Sequence, residues 1–278
     1  MQASILEDRA VIAVRGTEAR PFLQGLISND MEGCAPGRGI YAALLTPQGK
    51  ILFEFFVTEA DDRFLLDCAQ ARAADLLKRL TFYRLRAKVE IAVAADLKVA
   101  AMWNGAPQAP AVAGLAAYSD PRLPALGVRL IGPLPLVQSA IAGAQAGDYR
   151  SHRLRLGVPD SADVPPDTVF ALDAGFEDLA GVDFKKGCYV GQEVTARMKH
   201  RASARRRFLI ANIDGDLPPP GTKLEASGRE VGTLATGADG RALALVRLDR
   251  VEEAGNAGES ITASGRKVSL QRPSWLQT

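Results

Sequence analysis

The sequence predicts an α+β protein that ends in a separate, small antiparallel β domain. Three observations carry this. At 278 residues the chain is too long for one small core and suits two or three domains of about 100 residues each. Up to residue 203, strand and helix signals are mixed rather than strictly alternating. Beyond Arg207, short strand candidates recur between glycine turns, the pattern of a small barrel or sandwich. The boundary falls near residue 204, giving segments 1–203 and 204–278.

Val11 to Gly16 reads as a short buried strand closed by glycine. Thr17 then caps a helix carrying Phe22, Leu23 and Leu26 on one side, with Pro21 tolerated in its first turn. Ser28-Asn29-Asp30 breaks that helix with side chains that bond nearby backbone. Ile40–Leu45 and Ile51–Thr58 are strands around Thr46-Pro47-Gln48-Gly49-Lys50, where proline second and glycine fourth make a hairpin turn. A third strand covers Arg63–Asp67. Ala69–Leu80 follows as a helix with Leu76, Leu77 and Leu80 on its apolar face. Phe82-Tyr83-Arg84-Leu85-Arg86 leads into a strand over Ala87–Ala94. Leu97–Trp103 is a strand, 104–114 an exposed loop rich in alanine, proline and glycine, and strands lie near Leu115–Tyr118 and Gly127–Ile131. Leu136–Ala144 and Asp148–Leu156 look helical, the second stopped by Gly157-Val158-Pro159. A long irregular connection opens at Pro165-Pro166-Asp167, and loops of this length often carry chemistry. The C-terminal strands are expected at Phe208–Ile213, Thr222–Leu224, Glu230–Thr236, Ala242–Arg247, Ser260–Ala263 and Lys267–Leu270.

Composition removes several classes. A net charge of +2 gives no general affinity for polyanions. No apolar run reaches the roughly 18 residues of a membrane span, so no membrane partner is expected. Met1 to Arg9 lacks the basic-then-apolar pattern of a signal peptide. The three cysteines, Cys34, Cys68 and Cys188, are odd in number and widely spaced, which argues against a disulfide framework and for a reducing, cytoplasmic setting. Two histidines, His152 and His200, far apart, make a dedicated zinc site unexpected, and no metal-ligand set is assigned.

The densest chemistry lies in 184–197, Phe-Lys-Lys-Gly-Cys-Tyr-Val-Gly-Gln-Glu-Val-Thr-Ala-Arg. Gly187 and Gly191 suggest backbone that bends tightly or approaches a neighbour closely. Lys185, Lys186 and a helix start just after Cys188 favour its thiolate. The alternative is a structural cysteine beside a tight turn. Lys186 holds an anion or is simply solvated. Gln192 and Glu193 present an amide and a carboxylate to a heterocycle, or else serve as a helix cap and an i,i+4 partner for Arg197. Arg197, Lys199, Arg201, Arg205, Arg206 and Arg207 form a basic run that receives phosphate, a polyglutamate tail or RNA, or pairs with acidic surface as a linker. Aromatic interleaving is missing, so specific nucleic-acid binding is not favoured.

At Lys186-Gly187-Cys188-Tyr189-x-Gly191-Gln192-Glu193 the chain resembles the YgfZ-type folate-binding proteins, relatives of the glycine-cleavage aminomethyltransferase. Phe22 to Asp30 and Tyr83 to Val89 are similar to two further segments of that family. The resemblance implies two N-terminal α+β subdomains, roughly 1–20 with 95–203 and 21–94, plus a C-terminal β-barrel, around a central folate-sized hole. It implies a tetrahydrofolate cofactor and a role in assembly or repair of iron–sulfur enzymes, indirectly in tRNA modification, with iron–sulfur assembly factors or client enzymes as partners. It casts Cys188 and Lys186 as the reactive residues. Asn29, Tyr83, Arg84, Gly187, Tyr189, Gly191, Gln192, Glu193 and Arg197 become the folate contacts. The aminomethyltransferases carry a pattern like Arg-Leu-Glu-Ala-Gly, whose glutamate contacts the pterin. Here the matching stretch is Arg153-Leu154-Arg155-Leu156-Gly157. Guanidinium offers donors only, which argues against aminomethyl transfer and leaves Glu193 and Asp30 as candidate pterin carboxylates. An aminomethyltransferase and an RNA-binding or protein-interaction module remain the other classes.

Overall fold

The computed structural model describes residues 1–105, 108–201 and 205–277. The N-terminal part contains β1 (Gln2–Ile5), β2 (Arg9–Arg15), β3 (Ile40–Leu45), β4 (Ile51–Ala60) and β5 (Arg63–Ala69). It continues with β6 (Glu90–Val93), β7 (Leu97–Trp103), β8 (Ala116–Ser119), β9 (Val128–Pro133) and β10 (Gln145–Ala146). The C-terminal strands are β11 (Arg206–Ile213), β12 (Lys223–Ala226), β13 (Arg229–Ala238), β14 (Arg241–Arg247), β15 (Ile261–Ala263) and β16 (Arg266–Gln271). The helices are α1 (Ala19–Gln24), α2 (Ala73–Arg84), α3 (Leu134–Ile141), α4 (Tyr149–Arg155), α5 (Gln192–His200) and α6 (Leu248–Asn256).

These strands make two five-stranded sheets, ordered β10-β1-β7-β9-β8 and β3-β4-β5-β2-β6, and a closed barrel ordered β11-β14-β13-β12-β15-β16. The expected mixed α/β region and C-terminal antiparallel barrel are both present. The hairpin turn at 46–50 forms as read, with Gly49 N–H donating to Thr46 O at 2.8 Å. Of the expected loop 104–114, residues 106 and 107 lie outside the described residues.

Several boundaries differ for identifiable reasons. The expected grouping of 1–20 with 95–203 divides: β1 pairs with β7, whereas β2 pairs with β5 and β6 in the other sheet. Strand β2 can sit inside a sheet because both its faces are apolar. Val11 enters the core between the sheets, and Ile12 and Val14 enter the core beneath α1 and α2. Helix α1 starts after Glu18 with no side-chain cap, so Thr17 does not cap it. The helix expected at Ala69–Leu80 opens with a 3-10 turn at Gln70–Arg72, and α2 runs on through Phe82 and Tyr83. Helix α6 falls in a stretch read as connection; its Leu248, Val251 and Ala254 pack on the barrel core.

One large core joins the facing sides of both sheets, the long 156–190 connection and Phe208, Ile210 and Leu243 of the barrel. Phe176 from that connection packs against Tyr41 of β3, ring centroids 4.7 Å apart. The connection is therefore bound into the protein, and it delivers 184–191 to a fixed place beside α1.

Candidate functional site

The loop before α5 is built by backbone hydrogen bonding. Asp183 N–H donates to Ser28 O at 3.0 Å, tying the loop to the end of α1. The Asp183 carboxylate accepts the Lys185 and Lys186 amides at 2.6 and 3.0 Å, which closes an Asx turn. Ser28 Oγ donates to Gly181 O and accepts the Ala43 amide. Asn29 Nδ2 donates to Tyr41 O and Ala180 O.

Lys186 is buried, 6% exposed, and its Nζ donates to Gln24 O, Ile27 O and Asn29 O at 2.8, 2.6 and 2.9 Å. Three ammonium protons on three carbonyls leave no donor for an anion. Lys186 thus holds the signature loop against the C-terminal end of α1, whose carbonyls lack helical partners. Burial lowers its pKa to about 8, opposed by the Asp30 and Asp183 carboxylates. Tyr189 is buried beside it, 5.1 Å from Nζ to ring centroid, and burial pushes the phenol up to about 12.

The two glycines differ. Gly191 has φ +83°, and a Cβ there would stand 2.5 Å from Thr46 O, so this position requires glycine. At Gly187 a Cβ would meet nothing within 4 Å, so the close approach expected there occurs at Gly191 alone. After Gly191 the chain enters α5, where Thr195 Oγ1 donates back to Gly191 O at 3.0 Å. Glu193 and Arg197 are exposed and make no ion pair with each other among the described residues. Gln192 is half-buried and its backbone N–H donates to Tyr189 O.

This scaffold presents Cys188 to solvent between two fixed points, Lys186 and Gly191. Tyr83 and Arg84 lie elsewhere, at the end of α2, and no hydrogen bond or shared cavity joins them to the Cys188 loop among the described residues. Asn29 serves the loop through backbone carbonyls. The structure brings together Asn29, Lys186, Gly187, Cys188, Tyr189, Gly191 and Gln192.

The centre of the molecule holds residues that sequence reading missed. Arg9 donates to both Asp67 and Glu54, and Arg129 donates to Asp67 and lies 3.5 Å from Asp120. Arg122 makes a two-pronged contact with Asp120 at 3.0 and 2.8 Å. Arg153 bridges Asp160 and Asp163 at 2.8 and 2.6 Å, and Asp163 accepts the amide and hydroxyl of Thr236 on β13. The Arg9, Arg122 and Arg129 guanidiniums surround the Phe56 ring at 5.6, 4.6 and 4.0 Å. This network ties both sheets to the barrel. Burial would raise the pKa of Asp120, but the Arg122 guanidinium outweighs it and holds the carboxyl below its usual value.

The cavity at the centre is smaller than the expected folate-sized hole. The cavity among Arg9, Phe56, Arg122, Arg129, Tyr149 and Arg153 has a volume of about 100 Å³. Ligand pockets take roughly 300–1,000 Å³. In this cavity Arg9, Arg122, Arg129 and Arg153 are paired with carboxylates, while Asp8 and Arg150 also line it and enter no ion pair among the described residues; Arg155, where the aminomethyltransferases place glutamate, is exposed at the end of α4. Glu193 and Asp30, the candidate pterin carboxylates, do not line this cavity, and Asp30 caps the turn after α1.

Comparison with known proteins fits this geometry. The fold resembles the glycine cleavage system aminomethyltransferase T from Bartonella henselae, with TM-score 0.75 and 15% identity over 99% of this chain and 86% of that one. Residues 205–278 match the family described as CAF17, C-terminal beta-barrel domain. The class is an aminomethyltransferase-like fold closed by a CAF17-type barrel. The human iron–sulfur cluster assembly factor IBA57, mitochondrial, is 32% identical over 89% of this chain and 78% of its own length. The mouse protein of that name is 31% identical over the same shares, and the Mycosarcoma maydis homolog is 32% identical over 76% of this chain and 57% of its own. The chain belongs to the IBA57 family of iron–sulfur cluster assembly factors.

Two expectations are corrected by these relatives. YgfZ-type folate-binding proteins are a related but different family. The cytoplasmic setting read from cysteine usage is overturned, because the curated relatives are named mitochondrial. Scattered free thiols exclude a disulfide framework but do not distinguish one reducing compartment from another.

Proposed function

We propose that this protein acts in iron–sulfur cluster assembly by supplying Cys188 as one thiolate ligand to a cluster whose other ligands come from a partner protein. The asymmetry of its three thiols carries this reading. Cys34 and Cys68 are each 2% exposed, and burial pushes both up to about 12, whereas Cys188 is exposed. Iron–sulfur clusters take about four protein ligands. Among the described residues no three His, Cys, Asp or Glu side chains converge as a metal site. A cluster bound through Cys188 is therefore shared with another chain.

The loop supports this role mechanically. The Asp183 turn, the three carbonyls on Lys186 and the left-handed Gly191 fix the backbone on both sides of Cys188, so binding needs little ordering there. The names of the relatives support the assembly role, and this reading calls on no folate. Its test is size-exclusion chromatography of the full chain mixed with a purified scaffold protein loaded with [2Fe–2S], followed by visible cluster absorbance. Wild type and Cys34→Ala should elute with the scaffold as a coloured complex. Cys188→Ser should elute colourless and free; a coloured Cys188→Ser complex would sink the reading.

A further inference from the structure

The C-terminal end of α2 departs from the rest of the surface. Phe82 and Leu85 are 70% and 84% exposed, three residues apart, so both project near the same end of the helix. Leu85 has φ +47°, a conformation that branched, bulky side chains avoid, and nothing covers its side chain. Strain of this kind marks positions kept for a purpose other than packing.

Beside Phe82 lies a concave pocket of about 380 Å³, lined by Leu52, Phe53, Arg72, Lys78, Arg79 and Phe82 together with Asp75. Its charge is one-sided. Residues 72–88 hold Arg72, Lys78, Arg79, Arg84, Arg86 and Lys88 against the single acid Asp75, in a chain whose total is only +2. Arg72 pairs with Asp75, but Lys78, Arg79, Arg84, Arg86 and Lys88 are exposed and enter no side-chain ion pair or hydrogen bond among the described residues. Uncommitted cations around exposed apolar side chains are complementary to an acidic segment with an apolar anchor.

Position links this patch to Cys188. The carboxylate of Glu18, just before α1, accepts the Lys88 amide behind the patch. The far end of α1 receives Lys186 of the signature loop. The short helix α1, 6 residues long, thus separates the two places. Tyr83 beside the patch and Val190 beside Cys188 pack on the same core.

We propose that the Phe82–Leu85 knob and its basic pocket receive an acidic, amphipathic segment of the protein that meets Cys188. The identity of that partner as the cluster-bearing protein rests on the function proposed above. The docking chemistry rests on the patch alone. A concave pocket fits a partner side chain better than the flat surface of a bilayer.

The experiment selects a twelve-residue peptide display library on the full chain and measures the enriched peptides, made synthetically, by fluorescence anisotropy. The expected winners carry several Asp or Glu residues around one large apolar residue. Their affinity should fall at least tenfold with Phe82→Ser and with Arg79→Glu, and stay unchanged with Cys188→Ser. They should also inhibit formation of the coloured scaffold complex. Winners without acidic residues, or binding indifferent to both patch substitutions, overturn the proposal. Phe82-dependent sedimentation with phosphatidylglycerol vesicles, or a Phe82-dependent dimer in sedimentation velocity, overturns it in favour of a membrane or a second copy. If the scaffold complex never forms in wild type while patch-dependent peptide binding persists, the function proposed above fails and the docking chemistry stands.

Discussion

The buried arginine–carboxylate centre and the Cys188 loop both concentrate charged and polar residues, yet they use them in opposite ways. In the centre, every guanidinium of Arg9, Arg122, Arg129 and Arg153 is committed to a carboxylate, and the residues come from both sheets, the long connection and the barrel. At the loop, the polar groups of Asp183 and Lys186 are committed to backbone, and the one reactive atom, Cys188 Sγ, is left facing solvent. The centre supplies stability, and in the proposed function the loop supplies a thiolate. Substitutions should separate the two.

The largest effect is expected at Asp67, which accepts from both Arg9 and Arg129. Asp67→Ala leaves two buried guanidiniums short of a partner and should lower unfolding free energy by about 3–5 kcal/mol in urea titration. A loss under 1 kcal/mol would mean the centre is not the structural hub described.

Next comes Lys186→Met. It keeps the side-chain bulk but removes donors from three carbonyls beneath the signature loop, and should cost about 1–3 kcal/mol. Its effect on cluster capture should follow loop order, so hydrogen exchange at 184–190 should quicken in step. A fully stable Lys186→Met, or unchanged exchange at 184–190, would count against this role.

Acid should weaken the centre. The Asp120 carboxyl is held below the usual 3.8 by the Arg122 guanidinium, which outweighs the opposing effect of burial. A carboxyl depressed in the native state contributes stability that is present above its unfolded pKa and is lost as pH falls through the native one. Thermal melts should therefore lose this contribution as pH drops below about 4. Asp120→Asn should flatten that decline.

The smallest stability effect belongs to Cys188→Ser. An exposed side chain away from caps and strain should move the unfolding free energy by no more than about 0.5 kcal/mol, while cluster capture disappears.

Much of the loop was legible in the sequence because its information is local. Lysine, glycine, cysteine and glycine within a few residues mark a turn before a helix, and the C-terminal strands announce themselves by glycine turns. The partners of Lys186 were not legible, since its carbonyls lie 157 to 162 residues away in sequence. The centre was invisible for the same reason. Asp67 lies in an ordinary strand, nothing local marks Arg122 or Arg129 as buried, and their partners appear only when the two sheets are brought face to face. The rule that charge sits outside is a prior that only the assembled partners can overturn. Tyr83 and Arg84 show the converse: a family-like segment was legible, but its distance from Cys188 is set by where α2 packs.

The most direct measurement is iodoacetamide labelling of the native chain at pH 8, read by peptide mass spectrometry with and without the [2Fe–2S]-loaded scaffold. The account predicts one modified cysteine, Cys188, in the free protein, protected when the cluster-bearing partner is present. Equal modification of Cys188 in both samples would contradict it.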